Sequence, residues 1–83
     1  MPTVLRLGNL RVVIYPNDHT PEHVHVIGVE QEAVFELHCE AGGPPAVREN
    51  YRFTRAQLRT IGGQLMEHLQ WLCEEWRRIH ESD

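Results

Sequence analysis

The chain contains no lysine, so all eight of its basic residues are arginines, and its formal net charge is −4. Because non-specific nucleic-acid binding depends on neutralising many phosphates, this charge argues against bulk binding to DNA or RNA. The chain also lacks an apolar run of about twenty residues, which argues against a transmembrane helix. The stretch from Met1 to Val13 is broken by arginine, glycine and asparagine, unlike a signal peptide. We therefore expect a cytoplasmic protein without a membrane partner.

Cysteine is scarce as well, with Cys39 and Cys73 as the two in 83 residues. Two cysteines are too few for the disulfide framework of a small secreted protein. A single bridge between a strand and a helix is one alternative, and reduced thiols in a bacterial-type cytoplasm are the expectation that we prefer. The hydrophobic share of 41% and the charged share of 24% indicate one soluble globular domain. Because so short a chain buries a modest core, association with a partner or into a homo-oligomer is favoured.

The first 48 residues have the pattern of an antiparallel sheet. Apolar runs flank Gly8-Asn9, and a two-residue loop of this kind predicts a β-hairpin. In the run from residue 33 to 38, Ala33, Phe35 and Leu37 share one face of a predicted strand. Further strands are expected at residues 23–29 and, as a short edge strand, at 46–48.

The remainder of the chain has the pattern of a helix. Thr54 and Gln57 have the spacing of a capping box, and Phe53 and Leu58 have that of a hydrophobic staple. Apolar residues then recur at three- and four-residue steps as far as Ile79, which predicts an amphipathic helix packed on the sheet. Gly62-Gly63 interrupts this stripe at a cost of about 1 kcal/mol per glycine. Either a kink or a close approach to the sheet explains the pair, and the sequence leaves both open.

These elements predict an α+β fold, an antiparallel meander of four to five strands packed against a long C-terminal helix that is continuous or kinked. Residues 1–83 form a single domain, with the sheet over 1–48 and the helix over 54–81. The sheet face that the helix does not cover is left for solvent or a partner.

Three of the six histidines lie in the segment from Asn17 to Val26. His23 and His25 are two residues apart, so in a strand their side chains point to the same face. His19 lies on the turn that precedes this strand. Because imidazoles act as acids, bases and metal ligands near neutral pH, this segment is the main candidate for a functional site.

Three interpretations of the segment are open. His19, His23 and His25 supply three nitrogen ligands for a divalent, zinc-like metal ion with its fourth position open. Alternatively, Asp18 orients His19 or His23 as a general base, with Tyr15 or an arginine nearby stabilising charge, which would suit RNA cleavage. In the third interpretation Asp18 caps the turn, and a hydrogen bond between histidine and aspartate fixes the entry to the strand.

A second group of candidates lies around the start of the predicted helix. Arg52, Arg55 and Arg59 follow helical spacing away from the apolar stripe, and they form either an exposed helix face or a patch for phosphates or a partner's carboxylates. Trp71 also lies off the stripe and is a candidate anchor for a partner, whereas Trp76 lies in the stripe and is expected in the core.

These residues resemble a family of small bacterial and archaeal proteins, the domain of unknown function 4160. The family pattern opens with Met-Pro, as in Met1-Pro2, and continues with Asn-Asp-His-x-Pro-Pro-His-Val-His-Val, as in residues 17–26 except for Glu22. Further matches are Ala33, Glu49-Asn50-Tyr51 and Trp76. The resemblance implies a two-gene arrangement similar to toxin–antitoxin pairs, with a cognate small protein as partner. It implies no catalytic residue.

Our leading functional hypothesis is a toxin-type member of such a pair, which binds or cleaves RNA in the manner of a ribonuclease. Its site would consist of Asp18, His19, His23 and His25, and the three arginines would contact phosphates. The alternative is a non-catalytic metal-binding or protein-interaction module in which the histidines hold a divalent ion or a structural turn.

Overall fold

The computed structural model describes residues 3–81 and contains five strands followed by two helices. The elements are β1 (Thr3–Leu7), β2 (Leu10–Val13), β3 (His23–Gly28), β4 (Gln31–Glu36), β5 (Ala46–Tyr51), α1 (Arg55–Glu67) and α2 (Leu69–Glu81). The strands form one antiparallel sheet in the order β1-β2-β3-β4-β5. The predicted α+β meander with a helical C-terminal part is therefore confirmed. Met1-Pro2, which opens the family pattern, lies outside the described residues.

The central strands follow from the turn residues and the alternation in the sequence. β1 and β2 form the hairpin predicted from Gly8-Asn9, and Gly8 has a φ of +60°, which glycine adopts without a steric penalty. In the pairing of β2 with β3, Val13 lies opposite His25, and in the pairing of β3 with β4, His25 lies opposite Val34. These three residues thus form a row across the centre of the sheet.

β5 spans Ala46–Tyr51 and is longer than the predicted strand at 46–48. All six of its residues are exposed, so no apolar alternation marks the second half of the strand in the sequence. Both outer pairings contain a register shift, between Thr3 and Leu5 at β1 and between Val34 and Phe35 at the β4–β5 pair. Such irregularities are common at sheet edges.

The core lies between one face of the sheet and the two helices. Ala33, Phe35 and Leu37 are all buried there, as their alternation predicts. The other buried members of the core are Val12, Ile14, Val24, Val26, Phe53, Ile61, Leu65, Leu69, Leu72, Cys73 and Trp76. The apolar helical stripe is therefore confirmed as the packing surface of the C-terminal part.

The helical part is divided at His68. The capping box at its start is present, because Gln57 N donates to Thr54 Oγ1 at 3.1 Å and Thr54 N donates to Gln57 Oε1 at 2.8 Å. His68 caps α1, and its N–H donates to Leu65 O at 3.1 Å. The alternative of a kink at Gly62-Gly63 is therefore wrong. Within residues 3–81, no helix is long and apolar enough to cross a membrane.

A disulfide joins Cys39, in the loop after β4, to Cys73 in α2, with the Cα atoms 6.0 Å apart. The expectation of reduced thiols is therefore wrong, and the alternative of one bridge between the sheet and a helix is confirmed. The two residues are 34 positions apart, and their proximity depends on how α2 packs, which the sequence pattern does not specify. A bridge of this span restricts the unfolded chain and stabilises the fold.

Candidate metal centre

The turn between β2 and β3 directs the Asp18 carboxylate inward. Asp18 N donates to Tyr15 O at 3.0 Å, and Tyr15 N donates in return to Asp18 Oδ2 at 3.1 Å. This reciprocal pair closes a four-residue turn, which aspartate favours because its side chain bonds to nearby backbone. The carboxylate is thus fixed beside the first residues of β3.

Asp18, His23 and His25 form one compact group. Asp18 Oδ2 lies 3.4 Å from His23 Nε2 and 3.3 Å from His25 Nε2. The three potential donor atoms all lie within 4.8 Å of one another. The side chains are enclosed, with 5% of His23 and 16% of both Asp18 and His25 exposed. The predicted shared face of the two histidines is confirmed, since Val24 and Val26 on the opposite face enter the core.

The hydrogen bond of His23 determines which ring nitrogen faces the group. Its Nδ1 lies 2.9 Å from Pro21 O, and a carbonyl oxygen can only accept, so Nδ1 carries the hydrogen in this contact. In the neutral ring, Nε2 then presents a lone pair toward Asp18 Oδ2. Two acceptors face each other at this point, and a cation between them would relieve their repulsion.

His25 lies between two carboxylates without a hydrogen bond to either. Both of its ring nitrogens are buried and have no hydrogen-bond partner among the described residues. On the side away from Asp18, its Nδ1 lies 3.5 Å from Glu32 Oε2. Sequence analysis missed Glu32. Val34 of β4 lies opposite His25, and Glu32 is two residues before Val34, so it lies diagonally across from His25 on the same face. The register of β3 on β4 would have identified it.

Tyr15 and the end of α2 enclose the group. The Tyr15 ring packs edge-on against His25 with ring centroids 4.9 Å apart. From α2, the Trp76 ring lies 5.3 Å from the His23 ring and stacks on His80 at 4.0 Å. His80 Nε2 in turn lies 2.9 Å from Asp18 O. Trp76 is in the core as predicted, but no pattern in the sequence indicates that Trp76 and His80 approach the site.

His19 does not belong to this group, and its role as a metal ligand stays a prediction. The group that can hold a metal ion within residues 3–81 consists of Asp18, His23 and His25. His19 is exposed. The third potential donor beside the two imidazoles is the carboxylate of Asp18, which accepts from Tyr15 N at 3.1 Å.

The predicted arginine patch lies away from the histidines. Arg52 O accepts from Gln31 Nε2 at 3.3 Å, and Gln31 pairs with Gly28 at the far end of β3 from His23, roughly 17 Å along the strand. The Arg52 guanidinium also pairs with Glu30 at 3.3 Å. Arg55 and Arg59 lie on α1 and line a groove beside β5. The structure therefore does not bring these arginines to the histidine group.

Trp71 is half-exposed, as its position off the stripe predicts, with 46% of its surface accessible. Its indole Nε1 donates to Val4 O at 3.1 Å, which ties α2 to the register shift in β1. Its ring therefore has a contact within the chain, and its role as an anchor for a partner stays a prediction.

The fold and the site define a small α+β protein with a histidine–aspartate group on one face of a five-stranded sheet. The chain belongs to the family described as Domain of unknown function (DUF4160), whose model matches residues 9–77. This match confirms the resemblance stated from the sequence. No curated protein and no solved structure matches the chain.

Proposed function

We propose that the protein binds one divalent transition-metal ion, of the zinc type, through Asp18, His23 and His25. The observation that carries the proposal is the burial of both His25 ring nitrogens without a hydrogen-bond partner in the described part of the chain. A buried polar group without a partner costs about 1–3 kcal/mol. A metal ion bound to Nε2 would satisfy that nitrogen, and the hydrogen on Nδ1 would then face Glu32.

All three donor atoms lie within 4.8 Å of one another, and two of the three distances between them match those of a zinc site. Zinc binds nitrogen and oxygen ligands at about 2.0–2.2 Å in a tetrahedral arrangement, so two of its ligands lie about 3.3–3.5 Å apart. The distances from Asp18 Oδ2 to the two Nε2 atoms are 3.4 and 3.3 Å. The set of two imidazoles and one carboxylate is also one that proteins use for zinc and iron.

The surroundings of the second ring nitrogen of each histidine also support the proposal of metal binding. Metal-bound histidines usually donate their second ring nitrogen to a carbonyl or a carboxylate, which orients the ring. His23 Nδ1 contacts Pro21 O at 2.9 Å, and His25 Nδ1 faces Glu32 Oε2 at 3.5 Å. His23 thus has such a partner on the side away from Asp18, and Glu32 lies where a partner for His25 would be expected.

The first proposal is restricted to metal binding. Three protein ligands would leave a coordination position for water, as in catalytic zinc sites. However, His23 is buried and the side chains of Asp18 and His25 are 16% exposed, and these observations support no particular reaction at the ion.

The experiment is elemental analysis of untagged protein purified without chelators and then loaded with excess zinc and desalted. We expect about one zinc ion per wild-type chain and a ratio near zero for the His23→Ala, His25→Ala double variant. The matched control is His19→Ala, which removes the adjacent exposed histidine and should retain the metal. A wild-type ratio near zero, or equal ratios in wild type and double variant, would overturn the proposal.

The family resemblance supports a second proposal, that the protein is the toxin-type member of a two-gene pair, acts on RNA in the cytoplasm and is bound by a cognate small protein. The Tyr15 ring beside His25 favours it, because a phenol next to an imidazole is suited to charge stabilisation in acid–base chemistry. Expression without the neighbouring gene should arrest growth for the wild type and not for His23→Ala. Equal, unimpaired growth of both strains would exclude a toxin dependent on this histidine.

A further inference from the structure

A second surface feature is an apolar groove between β5 and α1, with a volume of about 510 Å³. Its apolar lining includes Phe35, Val47, Leu58 and Met66. Val47 and Met66 are each 44% exposed, which places them among the exposed large hydrophobic residues of the described chain. The groove shares no residue with the metal centre, and its interpretation does not depend on metal binding.

Gly62 and Gly63 line this groove from the interior of α1. Glycine weakens a helix interior, so the pair requires a reason. A Cβ at Gly63 would meet no atom within 4 Å, and one at Gly62 would make an ordinary contact of 3.6 Å with Phe35 Cε2. The packing of the chain on itself therefore requires neither glycine. Because glycine has no side chain, Gly62 and Gly63 leave the groove open along one turn of the helix.

Arg55 and Arg59 line the same groove one helical turn apart. Neither has an ion-pair partner among residues 3–81. They also lie near the N-terminus of α1, where cations are unfavourable for the helix dipole, and no acidic residue in the first turn offsets them. The fold thus gains nothing from these charges, whereas a guanidinium binds an external carboxylate through two parallel hydrogen bonds.

We propose that the groove binds an acidic segment of a partner protein. An apolar side chain of that segment would lie over Gly62 and Gly63, and two carboxylates would pair with Arg55 and Arg59. Residues four apart on a helix rise about 6 Å, and alternate residues on a strand are about 6.6 Å apart. Either backbone conformation of the partner therefore places two carboxylates at the spacing of the two arginines.

Other classes of occupant fit the groove less well. Single-stranded nucleic acid requires exposed aromatic rings on which bases stack, and the one aromatic residue in the lining, Phe35, is buried. A second copy of the chain, joined groove to groove about a two-fold axis, would bring Arg55 and Arg59 near their own counterparts. An acidic protein segment is complementary in both charge and polarity.

The first step of the test is selection of a phage-displayed library of short random peptides on the immobilised full-length protein. We expect enrichment of peptides that combine two Asp or Glu residues with a large apolar residue. The most enriched peptide is then synthesised with a fluorescent label, and its Kd is measured by anisotropy. The Kd should rise with ionic strength because the proposed contacts are charged.

Two groove variants and two matched controls decide the outcome. We expect the Kd to rise roughly tenfold or more in the Arg55→Glu, Arg59→Glu variant and in Gly63→Phe, because the first reverses the charges and the second fills the groove. The Arg6→Glu, Arg77→Glu variant makes the same change of net charge elsewhere, and Thr60→Phe adds a phenyl ring without a change of charge at an exposed position of α1 outside the groove lining. Both controls should bind like the wild type.

Gly63→Ala separates binding from folding. This variant should melt at a higher temperature than the wild type, because alanine stabilises a helix interior, and should still bind the peptide more weakly. The proposal is overturned if no acidic peptide is enriched, if the groove variants bind like the controls, or if weaker binding occurs only in variants that have lost their circular dichroism signal. A wild-type dimer that Gly63→Phe converts to monomer would also overturn it, since the occupant would then be a second copy.

Discussion

His80 Nε2 lies 2.9 Å from the backbone oxygen of Asp18, a residue 62 positions earlier in the chain. The other ring nitrogen of His80, Nδ1, lies 2.8 Å from Trp76 O, so both nitrogens face carbonyl acceptors. This contact joins the last turn of α2 to the loop that carries the carboxylate of the candidate metal centre. His80 is therefore a positioning residue for the proposed site, although it contributes no donor atom to the group.

The first prediction concerns this contact. His80→Ala removes the contact between α2 and the backbone oxygen of Asp18. We expect the affinity for zinc to fall by roughly tenfold or more, as it does when other residues that orient metal ligands are replaced. Competition with a chromophoric chelator measures the Kd, and His19→Ala is the control. An unchanged Kd in a folded His80→Ala protein would show that the turn at Asp18 holds the carboxylate without α2.

The second prediction concerns Glu32, which faces His25 Nδ1 at 3.5 Å. Glu32→Gln removes the charge that would orient the His25 ring as a metal ligand, so zinc should bind roughly tenfold more weakly. Glu30→Gln is the matched control, because Glu30 lies on the adjacent turn and pairs with Arg52 instead. The same chelator competition applies, and equal Kd values for the two variants would contradict a role for Glu32.

The third prediction concerns the disulfide. Replacing Cys39 and Cys73 together by serine should lower the free energy of unfolding by about 3–4 kcal/mol, the value expected for a loop of this length. Urea denaturation followed by circular dichroism measures the change. Reductant should bring the wild type to the stability of the variant. Titration of two free thiols in unfolded, unreduced protein would show instead that the bridge is not formed.

The fourth prediction concerns pH. The Arg78 guanidinium donates hydrogen bonds to Glu75 and thereby lowers the pKa of that carboxyl from its usual value of 4.5. A lowered pKa in the folded state stabilises the protein above the ordinary carboxyl pKa, and this contribution is lost as the pH falls through the folded-state value. Melting temperatures between pH 7 and pH 3 should therefore decline less steeply in Glu75→Gln than in wild type. Parallel curves would indicate that the ion pair does not contribute.

Local signals in the sequence were sufficient for most of the fold. Gly8-Asn9 specified a hairpin because the turn residues determine the geometry of so short a loop. Thr54 and Gln57 specified the start of α1 because both partners of the capping box lie within one turn. His23 and His25 were placed on one face correctly, since the alternation of a strand depends on spacing alone.

The features that sequence analysis missed all depend on contacts between distant residues. Glu32 reaches the candidate metal centre through strand register, and His80 reaches it through the packing of α2. Neither feature is determined by the periodicity of the sequence. α1 continues through the glycine pair and ends at His68, because the buried residues Ile61 and Leu65 on either side of the pair pack in the core and offset the low helix propensity of glycine. The place of the Asp18 carboxylate beside the two imidazoles depends on a turn hydrogen bond from Tyr15 N, which residue spacing alone does not determine.

The two register shifts at the edges of the sheet have a consequence for the state of the protein at high concentration. An unbroken edge strand offers a row of free backbone groups to which another chain can add, and this is the first step toward fibrils. Here both outer pairings are irregular, and the outer strand β5 carries Arg48 and Glu49 on its exposed surface. We therefore expect the protein to form no fibrils at high concentration, because a further strand would not pair regularly with either edge of the sheet.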